Sequence, residues 1–252
     1  MTAALRRDVS EAATRRRRTD VDPIRLVIAG GFGQLGSTVA AAALEAGAVV
    51  AAIDKQPSPE APGDGVLRIG GVDLDDEEGA RAAFDLAAMR LGGLDALVHA
   101  AGGFAYETVE GGSLDTWDRL YVANLRSAVV AARAALPHLR HRGEGARLVF
   151  VGAAAAARAG RGMGAYAASK SGVARLTESL ADELKDAGIT VNAVLPSVLD
   201  TPANRAAMPD ADPRRWVTPR QLADVVLFLL SPQAQAVTGA SLPVMGRVTA
   251  AA

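Results

Sequence analysis

The stretch that decides the fold is LVIAGGFGQLGSTVA, residues 26–40. It is typical of a β-strand, a glycine-rich turn and the start of a helix, an order that binds a dinucleotide pyrophosphate at the helix N-terminus. Each of its three glycine registers points to a different class of enzyme, so the rest of the chain has to distinguish them. The registers are Gly31-x-Gly33-x-x-Gly36, Gly30-x-x-Gly33-x-x-Gly36 and Gly30-x-x-x-Gln34-x-Gly36, the last with glutamine at a glycine position.

The composition excludes several functions. Of the 252 residues half are hydrophobic, the formal net charge is −1, there is no cysteine and there are three histidines. No disulfide or thiolate metal site can form, and we expect no metal. The near-neutral charge predicts no nucleic-acid partner. No apolar run reaches the ~18 residues that span a bilayer, so we expect a cytoplasmic protein without a membrane partner that acts on a small-molecule substrate.

Short apolar runs alternate with alanine-rich helical stretches from Pro23 onward. Continuous apolar runs without polar alternation are typical of parallel strands covered on both faces. The runs lie at 24–30, 48–54, 65–70, 94–100, 146–152, 189–195 and 240–246, and the helical stretches at 35–47, 75–90, 113–140, 164–187 and 219–230. The sequence therefore predicts an α/β fold: a Rossmann-type, doubly wound, seven-stranded parallel sheet with helices on both faces. Residues 23–252 form one predicted domain, and the arginine-rich residues 1–22 form a predicted flexible tail.

The ends of the predicted strands carry candidate cofactor ligands. Asp54 ends the second strand, 18 residues after Gly36. A carboxylate there accepts the adenosine ribose hydroxyls and repels a 2′-phosphate, which favours NAD(H), while Lys55 beside it keeps NADP(H) possible. Asp73 follows the third strand, near the expected adenine edge. In HAAGG (99–103) small residues, Ala101 and Gly102 among them, let the chain pass under a cofactor, and we expect His99 to be a structural histidine.

The stretch GAYAASKSG, 164–172, carries Tyr166-x-x-x-Lys170. On a helix, residues i and i+4 project from one face. A lysine ammonium one turn from a phenol is expected to lower the tyrosine pKa from ~10 toward the range of a general acid/base. We therefore predict that Tyr166 and Lys170 are catalytic.

Together, these pieces identify a resemblance to the short-chain dehydrogenase/reductase family over about residues 24–246. The matching motifs are AGGFGQLG, Asp54, Asp73, HAAG, YVANLRSA with Asn124, YAASK and VNAVLPSVLDTP. The resemblance implies Tyr166 as acid/base, Lys170 as its pKa modifier and ribose ligand, and Asn124 as the anchor of a water in a proton relay. It implies that Thr201 holds the nicotinamide carboxamide, and that the helices at 113–140 and 164–187 pair across subunits in a homodimer or homotetramer. The cofactor-binding residues expected from it are Gly30, Gly33, Gln34, Leu35, Gly36, Asp54, Asp73, Ala101, Gly102, Tyr166, Lys170, Pro196 and Thr201.

One departure from the family stands at Ala153. Members normally carry a serine about 13 residues before the tyrosine, where its hydroxyl polarises the substrate carbonyl, and 152–160 contains no hydroxyl. Losing such a donor typically costs ~10²–10³ in rate. Three explanations stay open: an acceptor such as a conjugated C=N compound that needs no hydroxyl, a donor from elsewhere such as Arg158 or Arg161, or an NAD-binding scaffold or regulatory subunit without catalysis. The first explanation, a conjugated C=N acceptor, is supported by a resemblance of this chain to the dihydropteridine reductase branch, which also lacks the serine.

Candidate substrate residues follow the strand ends. They are Phe104, Tyr106, Met163, Met208 and Trp216, and a packing role is an equal alternative for Met163 and Trp216. Three prolines lie in 198–217. We interpret this segment as a lid over the cofactor.

Overall fold

The computed structural model describes residues 23–59 and 63–248, and within them all seven predicted strands are confirmed. The strands are β1 (Arg25–Ala29), β2 (Val49–Ile53), β3 (Val66–Ile69), β4 (Ala96–His99), β5 (Arg147–Val151), β6 (Thr190–Pro196) and β7 (Ser241–Val244). They form one parallel sheet in the order β3-β2-β1-β4-β5-β6-β7. The chain order reverses between β1 and β4, and the carboxyl ends at such a switch point are where open α/β sheets bind ligands.

The helices are α1 (Gln34–Glu45), α2 (Glu77–Leu91), α3 (Leu114–Leu120), α4 (Ser127–Arg142), α5 (Gly164–Leu184), α6 (Pro202–Ala207) and α7 (Pro219–Leu230). The helical stretch predicted at 113–140 is confirmed, but it is not α-helical throughout, because a π-helical turn, Tyr121–Arg126, separates α3 from α4. Such turns are frequent at functional sites, and this one carries Asn124. The stretch 164–187 ends in a separate 3₁₀ turn, Lys185–Ala187.

The segment 198–217, interpreted as a lid, contains α6, which the sequence did not predict. Thr201 caps this helix, because its hydroxyl oxygen accepts the Asn204 N–H at 3.2 Å, and Pro202 occupies the first helical position. The Asp200 N–H then donates to the Val217 carbonyl at 2.8 Å, which joins the two ends of the segment. Six residues are too few to display a helical hydrophobic period, so no pattern could reveal this helix.

Two hydrophobic cores lie on opposite faces of the sheet. Alternate strand residues supply them: Val27 and Ala29 belong to the core shared with α2, α4 and α5, whereas Leu26 and Ile28 belong to the core shared with α1 and α7. The predicted helices on both faces are thereby confirmed. Alanines on the facing helices let backbone and sheet approach closely, which gives the carboxyl ends of the strands a rigid support.

The predicted tail, 1–22, lies outside the described residues. Within 23–59 and 63–248, no helix is long and apolar enough to cross a membrane. The same residues contain no group of three or more acidic, histidine or cysteine side chains placed to hold a metal ion.

Candidate active site

Glycines at the β1–α1 turn are required by close packing. Gly30 has a φ of +79°, and a Cβ built on it would overlap the Ala101 backbone. A Cβ on Gly36 would overlap the Gly30 carbonyl oxygen, so α1 can only approach the turn without a side chain there. Gly30 therefore makes a tight turn, and Gly36 allows the helix and the strand to pack closely.

Gly33 does not use the conformational freedom of glycine. Gly33 has a φ of −68° and a ψ of 165°, an ordinary extended conformation, and a Cβ on it would lie 3.6 Å from the Gly30 oxygen. It stands at the N-cap of α1, where no side chain bonds to the helix. No capping side chain therefore bonds to the N–H groups of the first turn, which includes Gln34 and Leu35. An anion-binding helix N-terminus requires such unoccupied N–H groups.

Asp54 is held beside this turn. Its Oδ2 accepts the Phe32 N–H at 3.0 Å, and its Oδ1 accepts the Gln56 N–H at 3.1 Å. These bonds fix the carboxylate at the carboxyl end of β2, where the sequence placed it, with the exposed Lys55 next in the chain. Asp73 also lies where predicted, exposed after β3, and its Oδ1 accepts the Asp75 N–H at 2.9 Å.

Asn124 joins three parts of the site. Its Oδ1 accepts the Gly103 N–H at 2.9 Å, and its Nδ2 donates to the Gly103 carbonyl at 3.1 Å and to Ser169 Oγ at 2.9 Å. Asn124 is fully buried. The amide therefore ties the loop after β4 to α5 one residue before Lys170.

Gly102 lies between Asn124 and Lys170, where there is no room for a side chain. A Cβ on it would lie 2.5 Å from Asn124 Oδ1 and 3.2 Å from Lys170 Nζ. The preceding residue is fixed to the sheet, since the Ala101 N–H donates to the Ala29 carbonyl at 3.0 Å. The structure thus brings Gly30, Ala101, Gly102, Asn124 and Lys170 together at the switch point, where a side chain in place of either glycine would collide with the Ala101 backbone or with Asn124.

Tyr166 and Lys170 lie one turn apart on α5. The prediction that the Lys170 ammonium lowers the pKa of Tyr166 was nevertheless wrong for the chain without a cofactor. Burial raises the pKa of Tyr166 to about 12. Lys170 Nζ donates to the Val151 carbonyl at 2.8 Å, and burial lowers the pKa of Lys170 to about 8. The ammonium is thus directed to the end of β5 and does not offset the effect of burial on the phenol.

Nearby serine hydroxyls do not replace the one missing at Ala153. Ala153 is buried at the end of β5. Ser169 Oγ donates to the Tyr166 carbonyl at 2.8 Å, and Ser171 Oγ donates to the Ala156 carbonyl at 2.8 Å. Both hydroxyls are therefore committed to the backbone.

The candidate substrate residues of the β4–α3 loop form an aromatic wall. Phe104 packs edge-on against Tyr166 with ring centroids 4.9 Å apart, and 58% of its surface is exposed. The Tyr106 ring lies over Gly162, where a Cβ would stand 2.5 Å from it. Met163, half-buried, follows Gly162 and immediately precedes α5. These residues therefore surround the start of the helix that carries Tyr166.

Glu107 pins this loop, a role that the sequence analysis missed. Its N–H donates to the Gly162 carbonyl at 2.8 Å, while its carboxylate accepts the Ser113 N–H at 3.0 Å and the Thr116 hydroxyl at 2.9 Å. These hydrogen bonds hold the pKa of Glu107 below its usual range. An exposed acid in a loop carries no periodic signal, so only the fold reveals it.

The remaining predicted residues follow β6. Pro196 is buried at the strand end, and Thr201 caps α6 as described above. Met208 is half-buried at the end of α6. Trp216 is 7% exposed, so packing against the protein accounts for nearly all of its surface and supports the alternative packing role over substrate contact.

Comparison with known proteins agrees with this geometry. A sequence model described as enoyl-(acyl carrier protein) reductase matches residues 33–248. "2-(S)-hydroxypropyl-CoM dehydrogenase 3" of Xanthobacter autotrophicus is 32% identical over 246 residues, covering 89% of this chain and 96% of that protein. "Inactive 2-(S)-hydroxypropyl-CoM dehydrogenase 2" of the same organism is 35% identical, covering 84% and 100%.

A solved structure shows the same fold with a cofactor bound. The 3-ketoacyl-(acyl-carrier-protein) reductase from Brucella melitensis, complexed with NADH, has a TM-score of 0.79 and 29% identity over 89% of this chain and 98% of that one. Its fold and the relatives' names agree with a nicotinamide-dependent oxidoreductase built on this sheet. The chain belongs to the short-chain dehydrogenase/reductase family and is an NAD(P)-dependent oxidoreductase.

Proposed function

We propose that the protein transfers hydride between NAD(H) and a small carbonyl or conjugated C=N compound, with Tyr166 as the proton donor or acceptor. The observation that carries the proposal is the junction built by Asn124, which ties the loop after β4 to the part of α5 that holds both Tyr166 and Lys170. When bound, the nicotinamide supplies or receives the hydride.

The residues of the β1–α1 turn support binding of the dinucleotide. The α1 N-terminus offers N–H groups to a pyrophosphate, and the fixed carboxylate of Asp54 offers acceptors to ribose hydroxyls. A carboxylate repels a 2′-phosphate, which supports NAD(H) over NADP(H). Thr201, on the segment after β6, is the residue we assign to the carboxamide end.

Proton transfer in this proposal depends on Tyr166 and Lys170. Tyr166 stays protonated through neutral pH, since burial raises its pKa to about 12, so it acts as the acid in the direction of reduction. Lys170 lies buried one helical turn from the tyrosine, and in this proposal its positive charge stabilises the phenolate as the proton leaves, an effect that is not seen in the chain alone, where the ammonium bonds the Val151 carbonyl. Asn124 holds the loop and, in this proposal, the water through which the proton is replaced.

The absence of a hydroxyl at Ala153 bears on the choice of substrate. With Ser169 and Ser171 committed to carbonyls, Tyr166 is the hydroxyl left to polarise an acceptor. Conjugated acceptors spread the charge that develops on hydride addition, so they depend less on a second donor. A quinonoid dihydropterin and an enoyl thioester, the latter suggested by the description of the matching family, are the acceptors to test beside ketones.

A second candidate is a protein that binds NAD without catalysis. It is favoured by Ala153 and by the close similarity to a relative named as inactive. Such a scaffold would keep the β1–α1 turn and Asp54 but would not need Tyr166 or Lys170.

Either form is proposed to be a homodimer or homotetramer. Exposed apolar residues on one face of α3 and the following turn support this proposal: Leu114, Trp117 and Tyr121.

One experiment separates these possibilities. NADH oxidation is followed with a panel of ketones, a quinonoid dihydropterin and an enoyl thioester, while calorimetry measures NADH binding on the same preparation. The enzyme proposal expects turnover of at least one acceptor of the panel, lost in Tyr166→Phe. NADH binding without turnover of any acceptor would favour the scaffold, and absence of binding would contradict both.

A further inference from the structure

His99 is the last residue of β4 and is 1% exposed. Its Nε2 lies 3.1 Å from Ser127 Oγ, and Ser127 Oγ donates its own proton to the Ala123 carbonyl at 2.7 Å. Because that hydroxyl proton is committed, the oxygen accepts from His99, which places the imidazole proton on Nε2. His99 Nδ1 is then a buried lone pair, and it has no hydrogen-bond partner among the described residues. The expectation of a fully satisfied structural histidine is only half met.

This imidazole shares its buried surroundings with Lys170. His99 is in register with Phe150 of β5, whose ring contacts it with centroids 6.1 Å apart. The next residue after Phe150 is Val151, whose carbonyl accepts Lys170 Nζ. The two side chains therefore reach the same end of adjacent strands from β4 and α5.

Hydrogen-bonding capacity is left over on both groups. An ammonium has three donors, and Lys170 uses one of them on Val151. His99 has one unused acceptor. Buried polar groups rarely remain unpaired, and a buried charge is stabilised only when neighbours supply hydrogen bonds.

We propose that His99 is a positioning residue for Lys170: its neutral Nδ1 accepts a hydrogen bond from one water that bridges it to the buried ammonium, and this keeps the lysine charged beside Tyr166. The relevance of this His99–Lys170 interaction to the reaction rests on the proposed function. The interaction itself does not rest on it.

A neutral imidazole is essential to this role, because a protonated one would repel the ammonium. Burial and the nearby Lys170 charge hold the pKa of His99 near 3. From the other elements packed on the ring, β1 presents Ala29, β5 presents Phe150 and α4 presents Ser127, all uncharged. Lys170 on α5 is thus the charged group whose field acts on the imidazole.

The test uses NMR on the intact chain without substrate. The sequence has only three lysines, Lys55, Lys170 and Lys185, and three histidines, so side-chain labelling resolves each one. In His99→Leu we expect the pKa of Lys170 to fall by about one unit, a tenfold change in its proton affinity. His99→Asn keeps one amide donor and one acceptor, so we expect a value close to that of the wild type. His138→Leu, on an exposed histidine paired with Asp85, is the matched control and should leave Lys170 unchanged.

The imidazole nitrogens of the unmodified protein give a second measurement. We expect a proton on Nε2 and none on Nδ1 at neutral pH. An unchanged Lys170 pKa in folded His99→Leu, or an equal fall in His99→Asn, would overturn the proposal, as would a proton on Nδ1. If the protein is catalytic, the alkaline limb of its pH–rate profile should move to lower pH in His99→Leu and return in His99→Asn. Because the NMR measurements need no turnover, a failed proposed function would not be confused with a failed role for His99.

Discussion

Asn124 holds Gly103 by both atoms of its side-chain amide, with Oδ1 accepting the N–H at 2.9 Å and Nδ2 donating to the carbonyl at 3.1 Å. This pairing copies the backbone hydrogen bonds of a strand and extends the order of β4 beyond His99. It fixes the loop that contains Gly102, and Lys170 packs against that glycine. The geometry of the candidate site therefore depends on how closely the loop can approach the π-helical turn.

Gly102→Ala tests this close approach. Its Cβ would stand 2.5 Å from Asn124 Oδ1 and 3.2 Å from Lys170 Nζ, so either the amide or the ammonium must move. We expect at least about a tenfold loss of NADH affinity, measured by calorimetry, because a misplacement of about 1 Å can cost on the order of 10²-fold.

Gly103→Ala is the matched control for that substitution. Its Cβ would lie 3.7 Å from the nearest Leu120 atom and 3.8 Å from Ala123 Cβ, which are ordinary contacts. Affinity should stay within about twofold of the wild type, a difference of under about half a kcal/mol. Equal losses in the two variants would show that the loop, and not the Gly102 contact, limits binding.

Cofactor preference should follow Asp54. In Asp54→Ser the negative charge is lost, while a hydroxyl oxygen remains to accept the Phe32 N–H that the carboxylate now accepts. We expect weaker NADH binding and tighter NADPH binding, a combined change of at least about tenfold in their ratio. Lys55→Ala controls for the neighbouring cation and should weaken NADPH alone. A wild-type protein that binds NADPH more tightly than NADH would contradict the role given to Asp54.

Restoring the missing hydroxyl should widen the range of acceptors. Ala153→Ser places a donor where family members carry one, and such a donor is typically worth about 10²–10³ in rate. We expect turnover of simple ketones to rise at least about tenfold and turnover of conjugated acceptors to change little. Ala155→Ser, in the half-buried turn after β5, is the control. A ketone rate that rises equally in both variants would indicate a general change of the loop.

Lys170 should lower stability near neutral pH. Its pKa falls from 10.5 to about 8 on folding, so the folded chain binds this proton less tightly than the unfolded chain. The penalty is complete below about pH 8 and vanishes above about pH 10.5, so the wild-type free energy of unfolding should gain up to about 3 kcal/mol over this window relative to Lys170→Met.

Denaturant unfolding at several pH values measures this difference. Lys185→Met serves as control, because Lys185 is exposed and paired with Asp182. A difference between wild type and Lys170→Met that does not depend on pH would show that the lysine is not desolvated as described.

The sequence predicted the sheet well because each strand is a short apolar run covered on both faces, and the motif spacing brought Asn124, Tyr166 and Lys170 to one end of it. What it could not predict depends on contacts made across the fold. The π-helical turn at Tyr121–Arg126 leaves no distinct hydrophobic period. Spacing placed Lys170 near Tyr166 but not its ammonium on the Val151 carbonyl. The hydrogen bonds of Glu107 and the unpaired Nδ1 of His99 are visible only in the folded chain.

The most direct test of the central claim is hydride transfer by Tyr166→Phe with the best acceptor of the panel. The phenylalanine ring preserves the contact with Phe104, and Tyr121→Phe, at an exposed tyrosine outside the candidate substrate residues, controls for loss of an unrelated hydroxyl. The proposed role of Tyr166 predicts a fall in the transfer rate of about 10²–10⁴-fold, with NADH affinity and stability nearly unchanged. A transfer rate equal to that of the wild type would contradict it.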